Sequence, residues 1–196
     1  MRAQGQATVN KLLKAGMIEL DEHGLHAIRV DDVVQRAGVS HGTFYLYFSN
    51  KDDLFRTLLR VALRDMLELA DEFPVVTRNE NGKSCLLKWV RKFFRVYAAH
   101  APVFRIVVST DLLMDEFYSG ARESLFAVAE AVVRGMTAAS QAAGGRQEHV
   151  ELKAVACLMM LEGVNLLMSN EVSLPEAETS ERIAGIMFDV FAPDRP

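Results

Sequence analysis

The sequence predicts an all-α protein of about nine helices: a three-helix helix-turn-helix unit at the N-terminus, then a larger helical part. Three observations carry this. Apolar residues recur at three- and four-residue spacing through nearly the whole chain, the mark of amphipathic helices. A glycine turn at Gly38 joins two short helical segments. The β-rich run from Val103 to Val108 has no second strand to pair with, so it is read as helix.

The first helix is expected over about Thr8 to Glu22. Val9, Leu12, Leu13, Met17 and Leu20 form one apolar stripe, and Gly24 stops it. Gly16 lies inside, where glycine costs roughly 1 kcal/mol against alanine; close approach of another helix and simple tolerance both explain it. The second helix runs from about Asp31 to Ala37, with Val33 and Val34 on one side and Asp31 and Asp32 in its first turn, where the macrodipole favours acids.

The third helix is the informative one. Gly38 can take positive φ at no steric cost, and Ser40 is a good N-cap. Phe44 and Phe48 are four apart, share a face, and anchor the helix to a core together with Val39. His41, Thr43, Tyr45 and Tyr47 then offer an imidazole and hydroxyls in front, and Lys51 follows Ser49 and Asn50. Such a helix suits a duplex groove better than a catalytic pocket.

A long fourth helix is expected over about Lys51 to Phe73, with Asp52 and Asp53 in its first turn and Pro74 beyond its end. Helices follow over Lys83 to His100, Pro102 to Leu113, Ala121 to Ala142 and Glu148 to Ser169. The last of these is apolar nearly all round and must be covered on more than one side. A final helix is expected behind a capping box of Ser173 and Glu176, with Pro175 in its first turn. The expected domains are residues 1–50, the helix-turn-helix part, and 51–196, the larger helical part.

Composition narrows the class. Half of the 196 residues are hydrophobic, 24% are charged and five are proline, which argues for a packed core and against disorder. Cys85 and Cys157 fall in apolar helical patterns and read as free thiols of a reducing cytoplasm. The first twenty residues lack an apolar signal-peptide core. No apolar run approaches the roughly 20 residues that span a bilayer, so a soluble cytoplasmic protein is expected. Net charge is −4, and residues 1–56 carry seven basic and seven acidic side chains, which weighs against a polyanionic partner.

Catalysis and metal chemistry find little support. The five histidines are scattered, with His23 and His26 expected at the surface, and neither cysteine lies near a histidine in sequence. No zinc spacing and no glycine-rich phosphate loop is present, so neither a catalytic site nor a cofactor nor a metal is expected. The Glu148-His149-Val150-Glu151 cluster reads as a solvated helix start.

Residues 8 to 55 resemble the DNA-binding domain of the TetR (tetracycline-repressor-like) family of bacterial transcriptional regulators. The matching pieces are Leu12-Leu13-Lys14-Ala15, Gly24, Val33, Ala37 through Tyr45, Phe48, Lys51 and Leu54, without a gap. Three positions depart from the pattern: Gly16 for a usual alanine, Val34 for another, and Arg29 where a threonine or serine often caps the second helix. At Arg29 the capping role would pass to Asp31 or Asp32.

The resemblance implies a homodimeric repressor that leaves a palindromic DNA operator when a small, largely apolar effector binds. The dimer would form through residues 148–169 and 176–191 of both subunits, and the fourth helix would act as lever. By motif position the DNA-facing residues are His41, Gly42, Thr43, Tyr45, Leu46, Tyr47 and Lys51. Thr43, Tyr45, Tyr47 and Lys51 would meet phosphates; His41, Gly42 and Leu46 would meet base edges. Effector-binding candidates are Trp89, Phe93, Tyr97, Phe104, Met114, Phe117, Tyr118, Phe126, Met159, Asn165 and Met168, or these are ordinary core. Two alternatives stand beside this reading: a helical small-molecule carrier or bundle enzyme with a non-functional head, and an activator in place of a repressor.

Overall fold

The computed structural model describes residues 3–108, 119–142, 149–169 and 175–192. They form eight helices: α1 (Ala3–Ala27), α2 (Val30–Ala37), α3 (His41–Tyr45), α4 (Lys51–Asp71), α5 (Glu80–Val108), α6 (Ser119–Ala142), α7 (Val150–Ser169) and α8 (Glu176–Phe191). No strand occurs among the described residues, so the all-α expectation holds. No described helix is long and apolar enough to cross a membrane.

The chain divides into two compact units. One comprises residues 1–63 and 100–123; the other comprises 64–99 and 124–196. The first contains the whole of 1–50 and adds the start of α4, the end of α5 and the first residues of α6. Its core is built from Leu12, Leu20, Val33, Phe44, Leu54 and Phe55, each almost fully buried. Gly16 faces Leu54: a Cβ there would come 2.7 Å from Leu54 Cδ2. Helices α1 and α4 approach closely there, and an alanine would require the Leu54 side chain to shift. Arg105 of α5 pairs with Asp21 of α1.

In the second unit the core is aromatic. Phe73 meets Trp89 edge-on at 4.8 Å and Phe191 at 5.6 Å, and Trp89 continues to Phe93 at 5.6 Å. The Trp89 indole N–H donates to the Leu69 carbonyl at 2.9 Å, so its one polar atom is satisfied in the core. Helix α6 comes close to the end of α4 at Gly135, where a Cβ would lie 2.6 Å from the Ala70 carbonyl oxygen.

Several boundaries differ from the sequence reading. Pro102 does not start a helix; it lies inside α5, which runs unbroken from Glu80 to Val108. Proline removes one backbone donor, which leaves the carbonyl of Ala98 without its helical partner. Ala98 is exposed, so water can reach it, while Ala101, Pro102, Val103 and Phe104 are buried and hold the turn in place. That merger leaves eight described helices where nine were expected. Helix α5 also starts earlier than Lys83, because Asn79 caps it: its Oδ1 accepts from the Gly82 N–H at 2.9 Å. At α8, Pro175 is the N-cap rather than a first-turn residue, and Ser173 lies outside the described residues. Gly24 does interrupt α1, with φ 72° and ψ 168°, and one further turn follows it.

Candidate nucleic-acid interface

Helix α2 ends as its sequence dictates. Gly38 takes the left-handed conformation, φ 66° and ψ 41°, and its N–H and that of Val39 return to the carbonyls of Gln35 and Val34. The chain then turns into α3, where the Ser40 hydroxyl accepts from the Thr43 N–H at 3.1 Å. Phe44 is fully buried and Phe48 nearly so, their ring centroids 5.6 Å apart. Val39 is only half-buried. With both phenylalanines turned inward, the opposite side of α3 must face solvent.

His41, Gly42, Tyr45 and Leu46 occupy that side. Tyr45 is 57% exposed and Leu46 78% exposed, the latter an unusual state for a leucine. Thr43 and Tyr47 are half-buried at its edges, and the Thr43 hydroxyl lies 2.9 Å from that of Ser40. Six of the seven nominated positions thus lie on or beside one outward surface.

Lys51 is the seventh and is arranged differently. Its Nζ donates to the carbonyls of Leu25 at 3.1 Å, His26 at 2.9 Å and Ile28 at 3.3 Å. An ammonium has three donors, and all three are engaged. They close the carbonyl end of α1, where the macrodipole favours a cation. Lys51 also opens α4, whose N-terminus carries a reciprocal cap: Asn50 Oδ1 accepts from the Asp53 N–H at 2.9 Å and Asp53 Oδ2 accepts from the Ser49 N–H at 2.9 Å.

Two pairings were not visible in the sequence. Asp31, in the first turn of α2, places Oδ1 3.1 Å from His41 Nε2, and its other oxygen lies 3.6 Å from Arg29. Arg29 is the N-cap position of α2 and supplies no side-chain cap; Asp31 and Asp32 sit in the first turn instead. Arg36 of α2 reaches back to Glu19 and Glu22 of α1. The hydrogen bond to Glu19 is the first cause of a raised Arg36 pKa.

Of the effector candidates, Trp89 and Phe93 lie within the aromatic stack, with Tyr97 against Phe93 at 6.1 Å. Burial, then the charge of Glu162, raises the Tyr97 pKa. Phe104 and Asn165 are buried, and the Asn165 amide donates to the Leu161 carbonyl one turn back at 3.1 Å. Met168 is half-buried and Met159 is 52% exposed. Met114, Phe117 and Tyr118, and the side chain of Phe126, lie outside the described residues. A groove of about 510 Å³ between the end of α4 and α6 is lined by Ala70, Phe73, Val75, Arg134, Gly135 and Ala138 among others, and by none of these candidates.

Residues 12–58 match the model of the bacterial regulatory proteins of the tetR family. The match covers the helix-turn-helix segment, about a quarter of the chain, and over that segment the chain is similar to the family. The matched segment runs from Leu12 in α1 through the turn and α3 to Leu58 in α4 and so contains all seven nominated positions. Among curated relatives, the HTH-type transcriptional repressor SCO4008 of Streptomyces coelicolor is 28% identical over 102 residues, 52% of this chain and 48% of that protein. The fatty acid metabolism regulator protein of Bacillus subtilis is 32% identical over 88 residues, 45% and 44% of the two chains. The chain thus spans about half the length of the curated relatives it matches. The whole fold is shared with a transcriptional regulator from Rhodococcus sp. Rha1, at a TM-score of 0.71 and 22% identity over 96% of this chain and 99% of that one. At that identity the likeness concerns the fold alone.

Proposed function

We propose that this protein is a tetR-family DNA-binding transcriptional regulator, acting as a homodimeric repressor that a small, largely apolar effector releases from a palindromic operator. The carrying observation is the outward side of α3: an imidazole, a bare glycine backbone, a tyrosine and a 78% exposed leucine, pinned from behind by buried Phe44 and Phe48. His41, Gly42 and Leu46 read base edges, and Thr43, Tyr45 and Tyr47 hold phosphates. Lys51 acts by clamping α1 to the start of α4, which sets where α3 stands. Residues 1–50 serve as the DNA-binding part and 51–196 as the effector and dimerisation part.

Dimerisation through α7 and α8 is supported by exposed apolar side chains. Leu152, Val155 and Met159 are exposed on α7 at helical spacing, with Leu167 beyond, and Ile186 is exposed on α8. A contiguous apolar row of this kind needs a partner surface. Met159 fits that surface better than it fits an effector pocket. Trp89, Phe93, Tyr97 and Asn165, all in the second unit, remain the effector-facing candidates.

Selection of duplexes from random DNA tests the reading. A dimeric repressor enriches a palindrome whose half-sites are spaced by roughly 34–36 Å or a multiple of it. Absence of any enriched sequence would instead favour a small-molecule carrier with a non-functional head.

A further inference from the structure

A cleft of about 370 Å³ opens between α1 and α2, lined by Glu19, His23, Asp32, Gln35 and Arg36. Glu19 is 3% exposed, a rare state for a carboxylate. One of its oxygens, Oε1, accepts from Arg36 Nε. The other, Oε2, is buried and has no hydrogen-bond partner. Leaving a charged acceptor buried and unsatisfied is costly, so such an atom calls for an explanation.

Glu19, Glu22 and His23 each bring one ligand atom to a common point, all within 4.8 Å of one another. His23 Nε2 stands 3.5 Å from Glu19 Oε2 and 3.8 Å from Glu22 Oε2. These separations are long for hydrogen bonds. They are close to the roughly 3.3–3.6 Å between neighbouring ligands around a tetrahedral ion held at about 2.0–2.2 Å.

Charge points the same way. Glu19, Glu22 and Asp32 supply three carboxylates against the single guanidinium of Arg36, a balance of two negative charges with His23 neutral. Arg36 does not close the site. It holds Glu19 by the far oxygen, and it fixes Glu22 through Oε2, an oxygen with a second lone pair to offer.

We propose that Glu19, Glu22 and His23 bind one divalent transition-metal ion, with zinc the type that an imidazole and two carboxylates suit. All three ligands stand on α1 at positions i, i+3 and i+4, the spacing that places side chains on one helix face. Asp32 and Gln35 of α2 form the opposite wall and would hold a water in the fourth position. The ion would bind only the folded arrangement of these side chains, so its binding raises the stability of this region. The assignment is independent of the DNA reading.

Titration of zinc chloride into the metal-stripped full chain, by calorimetry and by thermal melting, tests it. One ion per chain is expected, with a rise in melting temperature. His23→Ala and Glu22→Gln, both at partly exposed positions, are expected to weaken binding by about tenfold or more and to abolish the rise. His26→Ala, an exposed histidine on the same helix, is expected to change neither. Absence of binding at about 100 µM zinc, weaker than any affinity a regulatory site would need, overturns the proposal. So does an affinity unchanged in His23→Ala, or one lost in His26→Ala.

Discussion

Replacing Lys51 by methionine separates two roles for this residue. Methionine keeps the stem and removes the ammonium, so packing is retained while three donors disappear. The carbonyls of Leu25 and Ile28 accept in part-buried surroundings and that of His26 in an exposed one. Hydrogen bonds from a charged donor contribute about 1.5–3 kcal/mol each. The His26 carbonyl can turn to water, and the other two are reached by water only in part. The loss is therefore worth one to two such bonds, about 3 kcal/mol, including the dipole contribution of roughly 0.3–1 kcal/mol at the end of α1. Urea unfolding followed by circular dichroism should show an earlier loss of helix in Lys51→Met. A phosphate-contacting Lys51 predicts something else: unchanged unfolding, and a salt slope of operator binding shallower by about 0.9 per subunit. An unfolding midpoint equal to that of the wild type would refute the clamp.

Other outcomes follow from the same geometry. Tyr45→Ala leaves the fold and the dimer intact by sedimentation, since the side chain is 57% exposed, but weakens anisotropy-measured binding to the selected site by about tenfold at fixed salt, the loss of one hydrogen bond to a charged group; unaltered affinity would remove Tyr45 from the interface. Asn79→Ala deletes the cap of α5, at a cost of about 1 kcal/mol and a melting temperature lower by about 2–4 °C; no shift would mean that water replaces the cap. Burial raises the Glu162 carboxyl pKa, so between the ordinary carboxyl value and the raised one the folded chain binds more protons than the unfolded one, and stability falls as pH rises through that window. Glu162→Gln should accordingly melt above the wild type at about pH 7.5 and level with it near pH 3.5, and equal melting at both would contradict the burial of that charge. Operator binding by the proposed dimer should show a slope of log K against log salt no steeper than about −4, the value expected if the exposed Lys11 and Lys14 of each subunit reach phosphates; about −7 would require further phosphate-contacting cations.

The recognition unit was legible because its determinants are local. A glycine in the left-handed region, a serine one residue before a helix and two phenylalanines four apart each obey rules that span a few residues, and Gly38, Ser40, Phe44 and Phe48 all behave as those rules require. What eluded the sequence depends on partners far along the chain. Pro102 looks like a helix start until the burial around it shows why α5 continues through it. Lys51 looks like a phosphate ligand until α1 ends against it, 23 to 26 residues away in sequence. Met159 looks like an effector-pocket residue by composition, and only the turn of α7 exposes it. Asn79 is different, since an asparagine ahead of Glu80 is a local cap signal of the same kind as Ser40. The Glu19, Glu22, His23 spacing was also present in the sequence, but the burial of Glu19, the fact that makes it informative, was not.

The neutral charge sum of the head means less than it first suggests. Of the seven lysines and arginines in residues 1–56, Arg36 is engaged by Glu19 and Glu22, Lys51 by carbonyls, and Arg29 more loosely by Asp31. Acids are engaged in the same way, Asp53 at the α4 cap and Asp21 with Arg105. The count therefore describes the internal wiring of the unit rather than the face it presents. On the outward side of α3 the carboxylate of Asp31 lies against His41, and the groups exposed there are hydroxyls, an imidazole, a leucine and backbone. The polar ones among them hydrogen-bond phosphates and base edges over short distances but project little field. A head of this type gains little from non-specific electrostatic attraction, so binding depends on fit. In the proposed dimer, two heads presented at the correct spacing would therefore matter more than in a strongly basic regulator, because the second head would supply through effective concentration what the field of the first does not.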